Sequence, residues 1–138
     1  MTDTLVDSNV LIDVWSADPA WADWSANAIA LARLAGAIVI NPLIFAEVCV
    51  SFATAEEAEG AMSEHLFRRD DLPWEAAFIA ASAFAQYRSA GGNKRSPLPD
   101  FYIGAHAEVG ALRLLTRDTG RYRSYFPRVE LITPESHP

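Results

Sequence analysis

Four short apolar runs recur along the chain and predict its β-strands. They cover residues 4–6, 37–40, 112–115 and 129–132. A strand with one face in water alternates apolar and polar side chains, and these runs show no sustained alternation. The pattern therefore predicts strands covered on both faces, which is typical of a parallel sheet.

Helix-start signals separate these runs. Asp18-Pro19 and Asn41-Pro42 each place a capping side chain before a proline at the first helical position. Thr54 and Glu57 have the spacing of a capping box. Apolar periodicity indicates two further helices. The five predicted helices cover residues 19–36, 42–52, 55–67, 74–88 and 100–108. Strands that alternate with helices in this order predict an α/β fold.

Two of these helices have large apolar side chains along one face. Residues that recur at helical spacing define such a face. They are Trp21, Trp24 or Ala28, Leu31 and Leu34 in the helix over 19–36, and Trp74, Phe78, Ala81 and Phe84 in the helix over 74–88.

Length and composition indicate one globular domain over residues 1–138. The chain is 51% hydrophobic and 21% charged, which is ordinary for a globular protein. No apolar run approaches the ~18 residues of a membrane span, and the first residues lack the pattern of a signal peptide. Cys49 is the sole cysteine, so no internal disulfide can form. We therefore expect a cytoplasmic protein without a membrane partner.

Charge is unevenly distributed along the sequence. The net charge is -7, yet residues 88–128 contain 8 basic and 3 acidic side chains, whereas residues 1–87 contain 3 basic and 13 acidic ones. Phosphate binding requires basic side chains. The asymmetry indicates either an anionic ligand near the C-terminal third or a solvated basic face.

Four acidic side chains occupy positions that the predicted sheet would bring together. Asp7 follows the first strand, and Asp118 follows the strand over 112–115. Asp100 begins the helix before that strand, and Glu47 lies in an otherwise apolar part of the helix after the second strand. Ligands of open parallel sheets bind beyond the carboxyl ends of the strands. The four carboxylates can therefore converge at one edge.

Each acid also has a structural interpretation when taken alone. Asp7 could cap the next helix, and Glu47 could pair with a buried arginine. Asp100 could be an N-cap residue, and Asp118 could belong to a turn before Gly120. Together, however, four carboxylates at one edge would repel one another and be driven to protonate. A hard cation such as Mg²⁺ or Mn²⁺ would relieve that repulsion.

Four motifs around these acids resemble those of PIN-domain nucleases. "LVDSNVLID" contains Asp7 and is similar to the first-strand motif of the family, and "NPLIFAEV" contains Glu47 of the second motif. "LPDFYIGAHA" and "LLTRDTGRYRSYFP" contain Asp100 and Asp118, and they resemble the third and fourth motifs of VapC-type toxins. The resemblance covers nearly the whole chain, and the motifs occur in the order of the family.

The resemblance implies a three-layer α/β fold in which helices flank a short, mostly parallel central sheet. It also implies a metal-dependent endoribonuclease that acts as the toxin of a toxin–antitoxin pair. RNA would be the substrate, a VapB-type protein the antitoxin partner, and a homodimer the assembly.

The same resemblance implies roles for individual residues. Asp7, Asp100 and Asp118 would hold Mg²⁺ or Mn²⁺, and Glu47 would complete the catalytic set by orienting or activating the attacking water. The hydroxyl groups of Ser8 and Thr116 would join the same site. Independently of the resemblance, Arg117, Arg121 and Arg123 flank Asp118 and could hold the RNA backbone. The nearby rings of Tyr122, Tyr125 and Phe126 could either stack on bases or pack in the core.

Two other functions are compatible with the sequence. A phosphatase with an aspartyl nucleophile would use Asp7, although Asn9 stands where the D-x-D pattern has its second aspartate. A non-catalytic PIN-fold interaction module would keep the fold and lose the chemistry, and the presence of all four carboxylates argues against it.

Overall fold

A parallel sheet forms the centre of the fold. In residues 2–91 and 98–138, which the computed structural model describes, five strands pair in the order β3-β2-β1-β4-β5. All four pairings are parallel. The strands are β1 (Thr4–Val6), β2 (Ile38–Ile40), β3 (Arg68–Arg69), β4 (Arg113–Leu115) and β5 (Leu131–Ile132). The predicted α/β fold with a short parallel sheet is confirmed.

Helices cover both faces of this sheet, as expected for strands whose side chains do not alternate between apolar and polar. In the described part of the chain they are α1 (Ser8–Trp15), α2 (Ala22–Ala35), α3 (Pro42–Cys49), α4 (Ala55–Ala61), α5 (Glu75–Ser89), α6 (Leu98–Val109) and α7 (Thr119–Tyr125). None of the helices in the described residues has the length and apolar character needed to cross a membrane. Most of the predicted loop over 89–99 lies outside the described residues.

The central strand β1 determines where chemistry can occur. Leu5 pairs with Val39 of β2 on one side and with Leu114 of β4 on the other. The three residues of β1 are fully buried. The carboxyl end of β1 therefore lies between the carboxyl ends of β2 and β4, and side chains that follow these strands meet there.

Local capping signals predicted several helix starts. The Asn41 side chain accepts a hydrogen bond from the Ile44 amide (2.9 Å) at the start of α3. Thr54 accepts one from the Glu57 amide (3.2 Å) at the start of α4. Asp18 also accepts two backbone hydrogen bonds, but α2 begins only at Ala22. The capped residues form a turn that precedes the helix.

Several features of the fold differ from the sequence prediction: α1 is not among the predicted helices, and α4 ends at Ala61 although the predicted helix extends to residue 67. Strand β3 consists of two exposed arginines, so no apolar pattern predicts it. It forms through backbone pairing with β2. Helix α7 is short and polar, and Tyr122 is its buried residue. Helix α6 begins at Leu98, so Asp100 is the third residue of the helix and not its N-cap.

Helices α2 and α5 bury alanines against the core, and some of their large apolar side chains face solvent, whereas others, such as Phe84, pack against the core. Leu31 and Leu34 of α2 are 66% and 86% exposed, whereas Ala28 and Ala32 are buried. The face of α5 that packs against the core carries Ala76, Ala80 and Ala83. Trp74 and Phe78 lie on the outer side and are 89% and 80% exposed. The apolar spacing identified both helices, but only part of each predicted face is turned towards the core, such as Ala28 of α2 and Phe84 of α5.

An aromatic cluster fills the space between α5, α6 and α7. Phe101 is fully buried, and its ring centroid lies 5.5 Å from that of Phe84 and 6.4 Å from that of Phe126. Phe126 and Tyr122 are 1% exposed. Because neither ring is accessible to a base, the core-packing interpretation holds for these two residues.

We expect Gly104→Ala in α6 to destabilise the protein by about 1–3 kcal/mol, the usual cost of overpacking a core. An added Cβ would lie 2.5 Å from the Phe126 ring, and that ring is held in the aromatic cluster. Urea unfolding measures the effect. Gly60→Ala is the matched control, because nothing lies within 4 Å of its added Cβ. A loss no larger than that of the control would contradict the packing.

Candidate active site

Asp7 lies directly after β1, and its side chain is almost completely buried. Its Oδ1 accepts a hydrogen bond from the Ser8 amide (2.8 Å). Its Oδ2 accepts hydrogen bonds from the Thr116 hydroxyl (2.9 Å), the Tyr122 hydroxyl (3.2 Å) and the Asn9 amide group (3.3 Å). One carboxylate therefore joins the ends of β1 and β4 to α1 and α7.

Burial and neighbouring acids raise the pKa of Asp7 to about 6. Burial is the main cause, the hydrogen bond from Thr116 opposes it, and the charges of Asp100 and Glu47 raise the pKa further. Burial likewise raises the pKa of the Tyr122 phenol, which keeps this group protonated as a donor to Asp7. Asp100 and Glu47 affect the pKa of Asp7 because their negative charges lie near its carboxylate.

Glu47 is half-buried on α3 and faces the same site. Burial raises the pKa of Glu47, the Ser8 hydroxyl lowers it by hydrogen bonding, and the charge of Asp100 raises it. Its Oε1 is buried and has no hydrogen-bond partner among the described residues. A buried carboxylate oxygen without a donor is costly, so this atom is suited to a ligand.

The start of α3 is held in place by a second buried contact. Asn41 caps the helix with its Oδ1, and its Nδ2 lies 3.0 Å from the His106 Nδ1 on α6. Burial lowers the pKa of His106, which favours the neutral ring that accepts this hydrogen bond. The contact fixes α3, and therefore Glu47, relative to α6.

Arg121 connects the other two acids. Its Nη1 lies 3.0 Å from Asp100 Oδ2 and 2.7 Å from Asp118 Oδ2. Burial raises the pKa of Asp100, Arg121 opposes this shift, and Asp118 adds to it. The four sequence-predicted acids therefore meet at the carboxyl edge of the sheet, with a guanidinium between two of them.

The other predicted RNA-binding arginines differ in their environment. Arg117 makes two hydrogen bonds to the buried carboxylate of Asp13 (2.6 and 2.9 Å), and its guanidinium lies 5.0 Å from the Trp21 ring centroid. Arg123 is 62% exposed and lies 3.6 Å from Glu135. Arg117 therefore supports the fold, whereas Arg123 is accessible to a ligand.

Sequence reasoning missed two contributors to the site. Asn9 donates to Asp7 and to the Thr116 hydroxyl (3.3 Å), and it accepts a hydrogen bond from the Arg117 amide (3.2 Å). Tyr122 donates to Asp7 from α7. The helical spacing of Tyr122 from Asp118 could have signalled that both face the same site, and Asn9 lies only two positions after Asp7. No local pattern, however, indicates the contacts of Asn9 with Thr116 and Arg117.

The family model described as PIN domain matches residues 4–127. This chain belongs to the PIN domain family. None of the curated protein sequences matches it.

Solved toxin–antitoxin structures share the fold of this PIN domain. VapBC2 from Rickettsia felis, bound to a promoter DNA fragment, is 15% identical with a TM-score of 0.74, covering 96% of this chain and 98% of that one. FitAcB from Neisseria gonorrhoeae is 21% identical with a TM-score of 0.71, covering 98% and 99%. A toxin–antitoxin complex from Klebsiella pneumoniae is 23% identical with a TM-score of 0.69, covering 95% and 97%.

The acidic side chains of this PIN domain match a hard divalent cation in chemistry and charge. They offer carboxylate oxygens, which Mg²⁺ prefers, and Glu47 has an oxygen without a partner among the described residues. Within residues 2–91 and 98–138, however, no three His, Cys, Asp or Glu side chains are assembled to hold an ion. A cation at Asp100 and Asp118 would have to displace Arg121, because its guanidinium contacts both carboxylates.

We expect the stability of Asp7→Asn relative to wild type, in the metal-free protein, to be higher at neutral pH than in acid. The pKa of Asp7 rises from 3.8 in the unfolded chain to about 6 in the fold, so between these values only the folded state holds the proton. Wild-type stability therefore falls as pH rises through this window. A shift of this size corresponds to roughly 1–3 kcal/mol.

Urea unfolding in EDTA at about pH 4 and about pH 7.5 measures this effect. The stability of Asp7→Asn relative to wild type should increase with pH, whereas that of the exposed control Asp23→Asn should remain flat. Equal differences at both pH values would refute the assignment of a buried, protonatable Asp7.

Proposed function

We propose that this PIN domain is a metal-dependent endoribonuclease and the VapC-type toxin of a toxin–antitoxin pair. One observation carries the proposal: Asp7, Glu47 and Asp100 converge at the carboxyl edge of the sheet, and each has a raised pKa to which another acid contributes. Asp118 joins them through Arg121. Membership in the PIN family and the shared fold of toxin–antitoxin structures support the same function.

The proposed metal ligands are Asp7, Asp100 and Asp118, which would hold Mg²⁺ or Mn²⁺. When bound, such an ion lowers the pKa of water and stabilises charge on phosphoryl oxygens. Thr116, Tyr122 and Asn9 donate hydrogen bonds to the carboxylate of Asp7 and restrain its orientation. This pre-organisation limits the reorganisation that binding requires.

Glu47 is the proposed group that orients the attacking water and accepts its proton. Its raised pKa brings it closer to neutral pH, where a general base works best. Its Oε1 lies in the site without a donor among the described residues, so a water can bind there. Ser8, which stabilises the Glu47 charge, would hold the carboxylate in position.

RNA would approach from the side of α7. Arg123 is exposed there, whereas Arg117 is engaged with Asp13. Arg121 would become available to a phosphate once a cation replaced it between Asp100 and Asp118. Arg123, and then Arg121, are therefore the proposed phosphate contacts, and Arg117 keeps its structural role.

The proposed partners are a VapB-type antitoxin and a second copy of the chain. The solved structures with this fold are described as VapBC, FitAB and toxin–antitoxin complexes, which supports the antitoxin. A phosphatase with Asp7 as nucleophile is disfavoured, because Asn9 uses its amide to orient Asp7 and Thr116.

Cleavage of a labelled single-stranded RNA tests the proposed activity. We expect cleavage with Mg²⁺ or Mn²⁺, and none in excess EDTA. Glu47→Gln should lower the rate by about 100-fold or more, the usual contribution of a general base, while the protein remains folded. Glu56→Gln, an exposed change on α4, is the matched control. Undiminished cleavage in EDTA, or by Glu47→Gln, would falsify the mechanism.

We further expect Arg121→Gln to increase the affinity for Mn²⁺ by about tenfold, equivalent to ~1.4 kcal/mol. The substitution removes a positive charge that contacts both Asp100 and Asp118. Isothermal titration calorimetry measures this affinity without any substrate. Arg123→Gln removes an exposed arginine of the same helix and should leave the affinity unchanged. An unchanged or weaker affinity in Arg121→Gln would show that Arg121 does not compete with the ion.

A further inference from the structure

His106 is a buried histidine of α6 that does not belong to the acidic site. Its ring lies between two segments that follow strands of the sheet. The Nδ1 atom lies 3.0 Å from Nδ2 of Asn41, directly after β2, and the Nε2 atom lies 3.6 Å from Oδ2 of Asp70, directly after β3. His106 is 3% and Asn41 2% exposed. Because both groups are buried, their polar atoms depend on protein partners.

The capping role of Asn41 fixes the direction of its hydrogen bond with His106. The Oδ1 of Asn41 accepts from the Ile44 amide (2.9 Å) at the start of α3, so its Nδ2 is the atom that faces the ring. An amide Nδ2 can only donate, and a neutral imidazole has one nitrogen that accepts. Nδ1 of His106 is therefore the acceptor, and the ring proton lies on Nε2, on the side of Asp70.

A proton on Nδ1 of His106 would place two donors against each other. A charged imidazole carries a hydrogen on both nitrogens and accepts nothing, so protonation breaks the hydrogen bond with Asn41. The amide could turn its oxygen to the ring only by giving up the Ile44 amide, and that contact is the cap of α3. Either response loosens the start of α3.

Charged side chains around the ring act in both directions, and burial decides the balance. Asp70 favours the protonated ring, and Arg68 on β3 disfavours it. The other charged side chains that line the cleft beside His106 are Arg69, Asp71 and Glu75. Burial has the largest effect and lowers the pKa of His106. The ring is therefore neutral at neutral pH, and the conflict with Asn41 arises in acid.

We propose that His106, in its neutral form, is a positioning residue for Glu47 and acts through Asn41 and the start of α3. Glu47 follows in the next turn of the same helix, where the Ser8 hydroxyl stabilises its charge. A loosened first turn displaces Glu47 from this contact. The inference rests on the proposed role of Glu47, and it adds an acid limit to cleavage that originates outside the acidic site.

Nuclear magnetic resonance of the metal-free full chain tests the contact without any substrate. We expect the Ile44 backbone amide to shift with pH at the same midpoint as the His106 ring. In His106→Asn, the side-chain oxygen can accept from Asn41 but does not titrate, so the Ile44 amide should stay flat at that midpoint. The exposed rings of His65 and His137 are references in the same spectra. An Ile44 amide that does not follow His106 would overturn the proposal.

Asn41→Asp tests the direction of the hydrogen bond. Aspartate caps a helix about as well as asparagine, and its carboxylate can accept from a protonated ring. We therefore expect a higher pKa of His106 in this variant than in wild type, because an opposite charge favours the protonated ring. Asp23→Asn, an exposed change on α2, should leave the pKa of His106 unchanged. An unchanged or lower pKa in Asn41→Asp would contradict the assigned contact.

The pH dependence of RNA cleavage connects the contact with Glu47. His106→Leu removes the acceptor and should lower kcat by about tenfold or more at neutral pH, because small displacements of a catalytic group are costly. His106→Asn should recover most of this loss, and its rate relative to wild type should rise as the pH falls. His65→Asn, an exposed change, should follow the wild-type profile.

The two variants of His106 separate positioning from packing. Equal losses in His106→Leu and His106→Asn, at a ratio to wild type that does not change with pH, would overturn the positioning role. A wild type that cleaves no RNA would contradict the proposed nuclease, whereas the Ile44 titration would still decide whether His106 controls the start of α3.

Discussion

The buried carboxylate of Asp7 is the constraint on which the site depends. It lies at the end of the central strand, so the packed sheet deprives it of water, and its hydrogen bonds come from donors on three different segments. These donors hold the carboxylate without neutralising it. Burial is the main cause of its raised pKa, and the charges of Asp100 and Glu47 add to it, which supports the proposed binding of a cation.

Arg121 explains how such a site persists in the protein alone. Its guanidinium lies between Asp100 and Asp118, and it supplies a positive charge where the acids are most crowded. Burial, with the charges of neighbouring acids, still raises the pKa values of Asp7, Glu47 and Asp100. Arg121 thus partly neutralises the acidic site. A cation that displaced Arg121 would have to compensate for the loss of its ion pairs with Asp100 and Asp118.

The packing of α2 and α5 shows a different constraint. Both helices turn alanines toward the core, because small side chains allow helices to approach their neighbours closely. Two of their large apolar side chains, Leu34 and Phe78, are more than three-quarters exposed, whereas Phe84 of α5 packs against the core. Apolar periodicity reveals a helix, but it cannot distinguish a face that meets the core from one that meets a partner.

The sequence by itself determined the features that depend on neighbouring residues. Unalternating runs predicted the parallel sheet, capping residues such as Asn41 and Thr54 marked helix starts, and acids after strand ends predicted the acidic edge. Only the tertiary structure decided the pairing of Arg117 with Asp13, the contact of Asn9 with Thr116 and that of Tyr122 with Asp7, because these partners are separated by 104 to 115 positions. The exposed strand β3 was likewise decided by its pairing with β2. Local signals act through the backbone within a turn, whereas these contacts exist only after the sheet has brought distant segments together.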